Sequence, residues 1–145
     1  MNRTEQLKIY LMNVLNSMYK EFEMLNVNFL SSEIDNYSLD KIPTQSVIET
    51  TITGKQKKKD VYNFRSRNAY GSNEATNLSN IGFWERFEKK IYSNNEEGIL
   101  PDIDGIYEIK CLNCGSLQRA ETQTCEMSIQ IEIDYINTDN EEISL

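Results

Sequence analysis

Histidine is absent from this 145-residue chain. That removes the side chain that most often serves as general base near neutral pH and most often ligates metals. No Ser-His or Cys-His nucleophile can be drawn, and neither common glycine-rich phosphate loop occurs. Proline appears twice and tryptophan once. No apolar run approaches the ~20 residues that a membrane-spanning helix needs. The first residues, MNRTEQLK, lack the apolar centre of a secretory signal, so the expected place of folding is the cytoplasm. Cysteine is scarce and odd in number, and reduced thiols are the expectation for Cys111, Cys114 and Cys125. Cys111 and Cys114 have C-x-x-C spacing, but zinc needs a second pair or histidines. Positive charge is also short: 15 Lys and Arg against 23 Asp and Glu, a net charge of −8. A polyanion needs a cationic face, so general nucleic-acid affinity is not expected.

What is present is the material of a globular domain. Hydrophobic residues make up 39% of the chain, and a chain of this length buries roughly two thirds of its unfolded surface. One domain over residues 1–137 is expected, followed by an acidic tail at 138–145. Leu7, Leu11, Val14, Met18 and Phe22 recur at three- and four-residue steps and predict a first amphipathic helix, with Thr4 as its N-cap. Val27 and Phe29 alternate with asparagines as a short strand, and 31–43 reads as a long polar connection. The β-branched stretch 47–53 and the returning 61–67 predict an antiparallel hairpin closed by a turn at 54–60. Tyr62 and Phe64 then share one face, and Val61, Arg65 and Arg67 the other. A second helix starts at Ser72 or Asn73 and ends at Gly98. Its expected buried stripe is Leu78, Ile81, Phe83 or Trp84, Phe87 and Ile91. Two more strands, at 103–113 and 122–136, complete the pattern. In the last, Cys125, Met127, Ile129, Ile131, Ile133 and Tyr135 alternate with Glu126, Ser128, Gln130, Glu132 and Asp134, one side dry and one wet.

The expected class is therefore α+β: an antiparallel sheet of two hairpins and a short strand, covered by two amphipathic helices. Cys111 and Cys125 fall in the apolar registers of two neighbouring strands, where a thiol acts as a small hydrophobe. Asp102 and Asp104 flank Ile103 and read as turn chemistry. No catalytic, cofactor-binding or metal-ligating set emerges, and the chain reads as a non-enzyme. Lys55, Lys57, Lys58 and Lys59 form the one basic island. They are expected at a hairpin tip, either solvated or meeting an acidic neighbour or passing nucleic acid.

The stretch Tyr62-Asn63-Phe64-Arg65-Ser66-Arg67-Asn68-Ala69-Tyr70, followed by Asn77-Leu78, Ile81-Gly82-Phe83-Trp84-Glu85 and Leu100-Pro101, resembles a family of phage proteins. So does Tyr37-Ser38-Leu39-Asp40-Lys41-Ile42-Pro43 ahead of a β-branched strand, and the alternating strand at 127–135. The family is the minor capsid, tail-terminator-like one encoded by prophages of low-GC Gram-positive bacteria. The resemblance spans residues 4–137 and is one of residue types and order. The lysine-rich tip, the C-x-x-C and the acidic tail depart from it. It implies a tail-terminator-like fold and a hexameric ring on the last ring of the tail tube. Such a ring stops polymerisation, touches tube and sheath proteins and meets a neck, connector or collar, and its lumen would let DNA pass. The location it implies is a virion or a headless tailocin, with no membrane partner. The contacts would fall on Lys55, Lys57, Lys58, Lys59, Arg65 and Arg67, the 31–43 loop and the tail. A head-side neck or connector protein and a free-standing small binding domain stay open beside it.

Overall fold

Two long strands carry the sheet. β4 (Gln56–Ala69) and β7 (Thr124–Asn137) pair antiparallel along their whole length, with Gln56 opposite Asn137 and Ala69 opposite Thr124. The computed structural model describes residues 1–44 and 47–137. The other elements are α1 (Arg3–Ser17), β1 (Met24–Val27), β2 (Asn36–Ile42), β3 (Val47–Thr50), α2 (Glu74–Glu96), β5 (Ile106–Cys111) and β6 (Ser116–Ala120). The main path across the sheet is β1-β2-β4-β7-β5. Each central strand holds two shorter strands end to end on its outer side: β2 and β3 on β4, and β5 and β6 on β7. Below, the "upper" end of the sheet is that of Gln56 and Asn137.

The class is α+β, as the sequence predicts, but the sheet is mixed. β1 runs parallel to β2, Leu25 opposite Tyr37. Parallel neighbours need a crossover, usually a dozen residues or more, and here 28–35 suffices. Its ends sit in the left-handed region at Asn28 (φ 58) and Asp35 (φ 61), a conformation that Asn and Asp tolerate. The crossover lies on the sheet face away from the helices. Phe29 N–H donates to Ser38 Oγ at 2.9 Å, and Arg67 Nε donates to the Ser31 carbonyl at 3.3 Å.

On the other face the helices cover the apolar registers. Tyr62, Phe64, Leu39, Tyr37, Ile129, Ile131 and Ile133 are all fully buried beneath Leu7, Leu11, Leu15, Trp84, Phe87 and Ile91. Phe64 sits at the centre. It stacks on Tyr37 at 5.3 Å between centroids and meets Trp84 edge-on at 5.8 Å, geometries that aromatic pairs favour.

Several expectations are corrected. The polar connection at 31–43 contains β2, whose Asn36 and Ser38 are buried because the crossover covers them. The first short strand ends at Val27, with Leu25 as its buried residue, and both Val27 and Phe29 are exposed. The first helix is capped by Asn2, whose side chain accepts from Glu5 N–H, while Thr4 Oγ1 pairs with Tyr62 Oη at 3.0 Å. The helix stops at Ser17. The expected last hairpin loop contains β6, all five of whose residues are exposed. Asn73 caps α2, and Gly98 takes the left-handed end with φ 74. Leu78 and Ile81, expected in the buried stripe, are 57% and 47% exposed. The buried residues are Phe83, Trp84, Phe87, Ile91 and Asn94, and half-buried Asn77 and Asn80 continue the stripe toward the N-terminus. Asn77 and Asn80 donate to the carbonyls of Gly71 and Ala69, and Asn94 donates to Tyr10 Oη. The acidic tail at 138–145 lies outside the described residues.

Candidate functional surface

Strand alternation splits the basic island between two faces. Only Lys55 stands in the turn before β4; Lys57, Lys58 and Lys59 belong to the strand itself. They were expected at the hairpin tip, and the strand simply extends further than its β-branched and aromatic part. Lys58 lies opposite Tyr135, on the helix side, whereas Lys57 and Lys59 share the open face with Arg65 and Arg67. Much of this charge is used within the chain. Lys57 Nζ is 3.6 Å from Glu49, and Lys59 Nζ is 3.9 Å from Glu132. Arg65 pairs with Asp40 and reaches Glu126 at 3.1 Å. Arg67, which anchors the crossover, is 3.9 Å from Glu121.

A tighter cluster, missed in the sequence, lies higher on the same face. Lys110 Nζ sits 3.0 Å from Glu132 and 3.3 Å from Asp134. The two carboxyls stand two residues apart on β7 and are both buried. Burial pushes the Asp134 carboxyl up to about 7, helped by its hydrogen bond to Glu132 and that group's charge. Burial would raise Glu132 too, but hydrogen bonds from Asp134 and Lys110 and the charges of Lys110 and Lys59 hold it below the usual range. The Glu132 hydrogen bond likewise raises the Lys110 ammonium. The cluster thus sets two buried carboxyls under one lysine, with Asp134 raised and Glu132 lowered from their ordinary values. The alternation of β7 was visible in sequence, but the pairing with β5 that brings Lys110 there was not.

On the helix side, Asp60 is buried at the upper end. It accepts from Arg3 Nε at 2.8 Å and from Tyr135 Oη at 3.4 Å, and Lys41 Nζ stands 3.7 Å away. The Arg3 guanidinium covers the Tyr135 ring at 4.6 Å. Beside it opens a cleft of about 640 Å³ lined by Arg3, Lys41, Asp102, Asp104 and Tyr135. Cationic and anionic groups alternate around it, so it favours no single ligand charge. Cys125 is buried, Cys111 half-buried and Cys114 exposed. Burial pushes the Cys111 thiol up to about 12, which keeps it protonated and unreactive at neutral pH. Among the described residues no three His, Cys, Asp or Glu side chains come together in a way that could hold a metal. No helix among the described residues is long and apolar enough to cross a membrane.

The sheet edges are the remaining surface. β1 closes one edge, and β5 with β6 the other. Met24, Val27 and Phe29 are exposed at the first, Tyr107, Leu112 and Leu117 at the second. No family model matches the chain, and no curated protein matches it.

Proposed function

We propose that this chain is a structural subunit of a phage or tailocin tail: a tail terminator that caps tube and sheath as a hexameric ring. In that role it stops polymerisation and joins the neck or collar. The family resemblance suggests the role, and one observation about the fold supports it best. Among the described residues the sheet has two open edges that differ in sequence and chemistry, Met-Leu-Asn-Val on one side and Ser-Leu-Gln-Arg-Ala on the other. Two unlike patches on one subunit make a heterologous contact, and a heterologous contact that closes makes a ring. The ion-paired open face remains for an axial neighbour. Its rim lysine, Lys55, and its outer pairs would exchange partners with tube, sheath or neck proteins, a mode that governs association rate and register.

The test is binding. Purified protein is mixed with tail tubes from the encoding phage or tailocin and imaged by cryo-electron microscopy. Density for a six-fold ring at the head-proximal or collar end is expected. Tubes that remain bare at that end would sink the terminator reading, and density at the portal side of a neck would replace it with the connector reading.

A further inference from the structure

We infer that copies of this chain join edge to edge, β1 of one copy against β6 of the next, as one continuous antiparallel sheet. The inference deepens the ring reading and rests on it for closure into a ring; the contact itself stands on the strands. Three features of the sheet carry it.

The first is direction. β4 runs down, so β2 and β3 run up, and β1, parallel to β2, also runs up. β7 runs up, so β5 and β6 run down. A second copy in the same orientation therefore meets β1 with an antiparallel strand, the commoner type of pairing.

The second is height. Residue rows can be followed across the sheet. Met24 lies in the row of Asn36, Arg67, Glu126 and Arg119; Leu25 lies in the row of Tyr37, Ser66, Met127 and Leu117; Asn26 lies in the row of Ser38, Arg65, Ser128 and Ser116. β1 and β6 thus occupy the same rows at opposite edges. Pairing them needs no shift along the strands, which suits a closed ring better than a climbing filament.

The third is charge. Exposed Glu21, Glu23 and Glu33 flank β1, and Arg119 on β6 keeps most of its side chain exposed although its Nε is 3.6 Å from Glu121. At the upper end the signs reverse. Lys55 and Lys57 stand beside β3, while exposed Asp102 and Asp104 precede β5. Because β3 sits one strand further in than β1, a gap of one strand, ~4.8 Å, is left there for side chains to cross. Both ends of the junction then match in sign. Neither β1 nor β6 has a proline, and β1 has no lysine, the devices that keep a lone edge from pairing.

Met24 and Arg119 are directly opposed in this arrangement, and both are exposed, so substitutions there leave the core intact. Sedimentation equilibrium over a concentration series tests it, with the near-ultraviolet dichroism of Trp84 as the folding control. The wild type is expected to self-associate. Met24→Arg sets two arginines face to face, and Arg119→Glu sets a carboxylate against an acidic edge; each should weaken association about tenfold. The double variant pairs Arg with Glu and should recover wild-type association. A wild type that stays monomeric throughout, singles that associate normally, or a double variant that fails to recover would each overturn the contact. Recovery in the double variant together with bare tail tubes would sink only the terminator role.

Discussion

At the residue scale, Asp134 makes stability depend on pH in an unusual direction. Its carboxyl ionises near 3.8 when unfolded and at about 7 when folded. The folded state therefore holds the proton more tightly. This contribution is fully present below the unfolded value and is lost as pH rises to about 7. Glu132, held below its ordinary value, acts oppositely at the acid end. Asp134→Asn keeps the shape and cannot ionise. Urea denaturation from pH 4 to 8 should show wild-type stability falling across that window, and the variant should be flatter and more stable at pH 8. An unchanged slope would mean that Asp134 titrates as an ordinary surface carboxylate. A second position tests packing rather than charge. A methyl group on Gly115 would collide with the Trp84 ring, which is almost fully buried. Gly115→Ala should cost about 1–3 kcal/mol, the usual range for overpacking, with a shifted Trp84 emission; wild-type stability would show that the β5–β6 connection yields freely.

At the element scale, α2 separates apolar character from burial. Its inward stripe has asparagine at both ends and aromatics in the middle, while Leu78 and Ile81 point outward. Leu78→Glu and Ile81→Glu should therefore change stability by no more than ~0.5 kcal/mol, as surface substitutions do. Phe87→Ala should cost ~3–5 kcal/mol. Chemical denaturation of the three variants decides the register, and a large loss at Leu78 would move the stripe back to the apolar residues. The same contrast explains what the sequence revealed. β7 was legible because one face is dry and the other wet, and Phe83 to Ile91 because large apolar residues recur at helical spacing. β2 was hidden because its alternation of Asn36, Ser38 and Asp40 with Tyr37 and Leu39 is short and lies in a polar stretch, although the crossover buries Asn36 and Ser38 as well. β6 was hidden because all of it is exposed, which removes any alternation. Three consecutive lysines suit solvent, so in the sequence alone they read as part of a turn. In β4 the ladder to β7 holds all three, and carboxylates on neighbouring strands meet Lys57 and Lys59.

At the scale of the whole molecule, the basic island can no longer be treated as one unit. Reversing Lys57, Lys58 and Lys59 together would confound assembly with folding. Lys59 lies opposite Asp134 and within 3.9 Å of Glu132. Lys59→Glu would add a third carboxylate beside two that are already buried together, at a cost of roughly 1–3 kcal/mol. Lys55 is different: it is exposed in the turn before β4, where its N–H donates to the Thr51 hydroxyl and its carbonyl accepts from the Thr51 N–H. Lys55→Glu should fold with wild-type stability, because among the described residues it breaks no side-chain pair. If the upper junction joins Lys55 to the acidic stretch before β5, the same change should lower incorporation into particles, and raised salt should weaken the wild type in the same sense. Thermal melts and particle composition, measured side by side, separate the cases. Loss of incorporation at unchanged melting temperature supports a role for Lys55 in assembly. Normal particles from Lys55→Glu would remove the basic turn from the contact and leave the β1 and β6 edges to carry it alone.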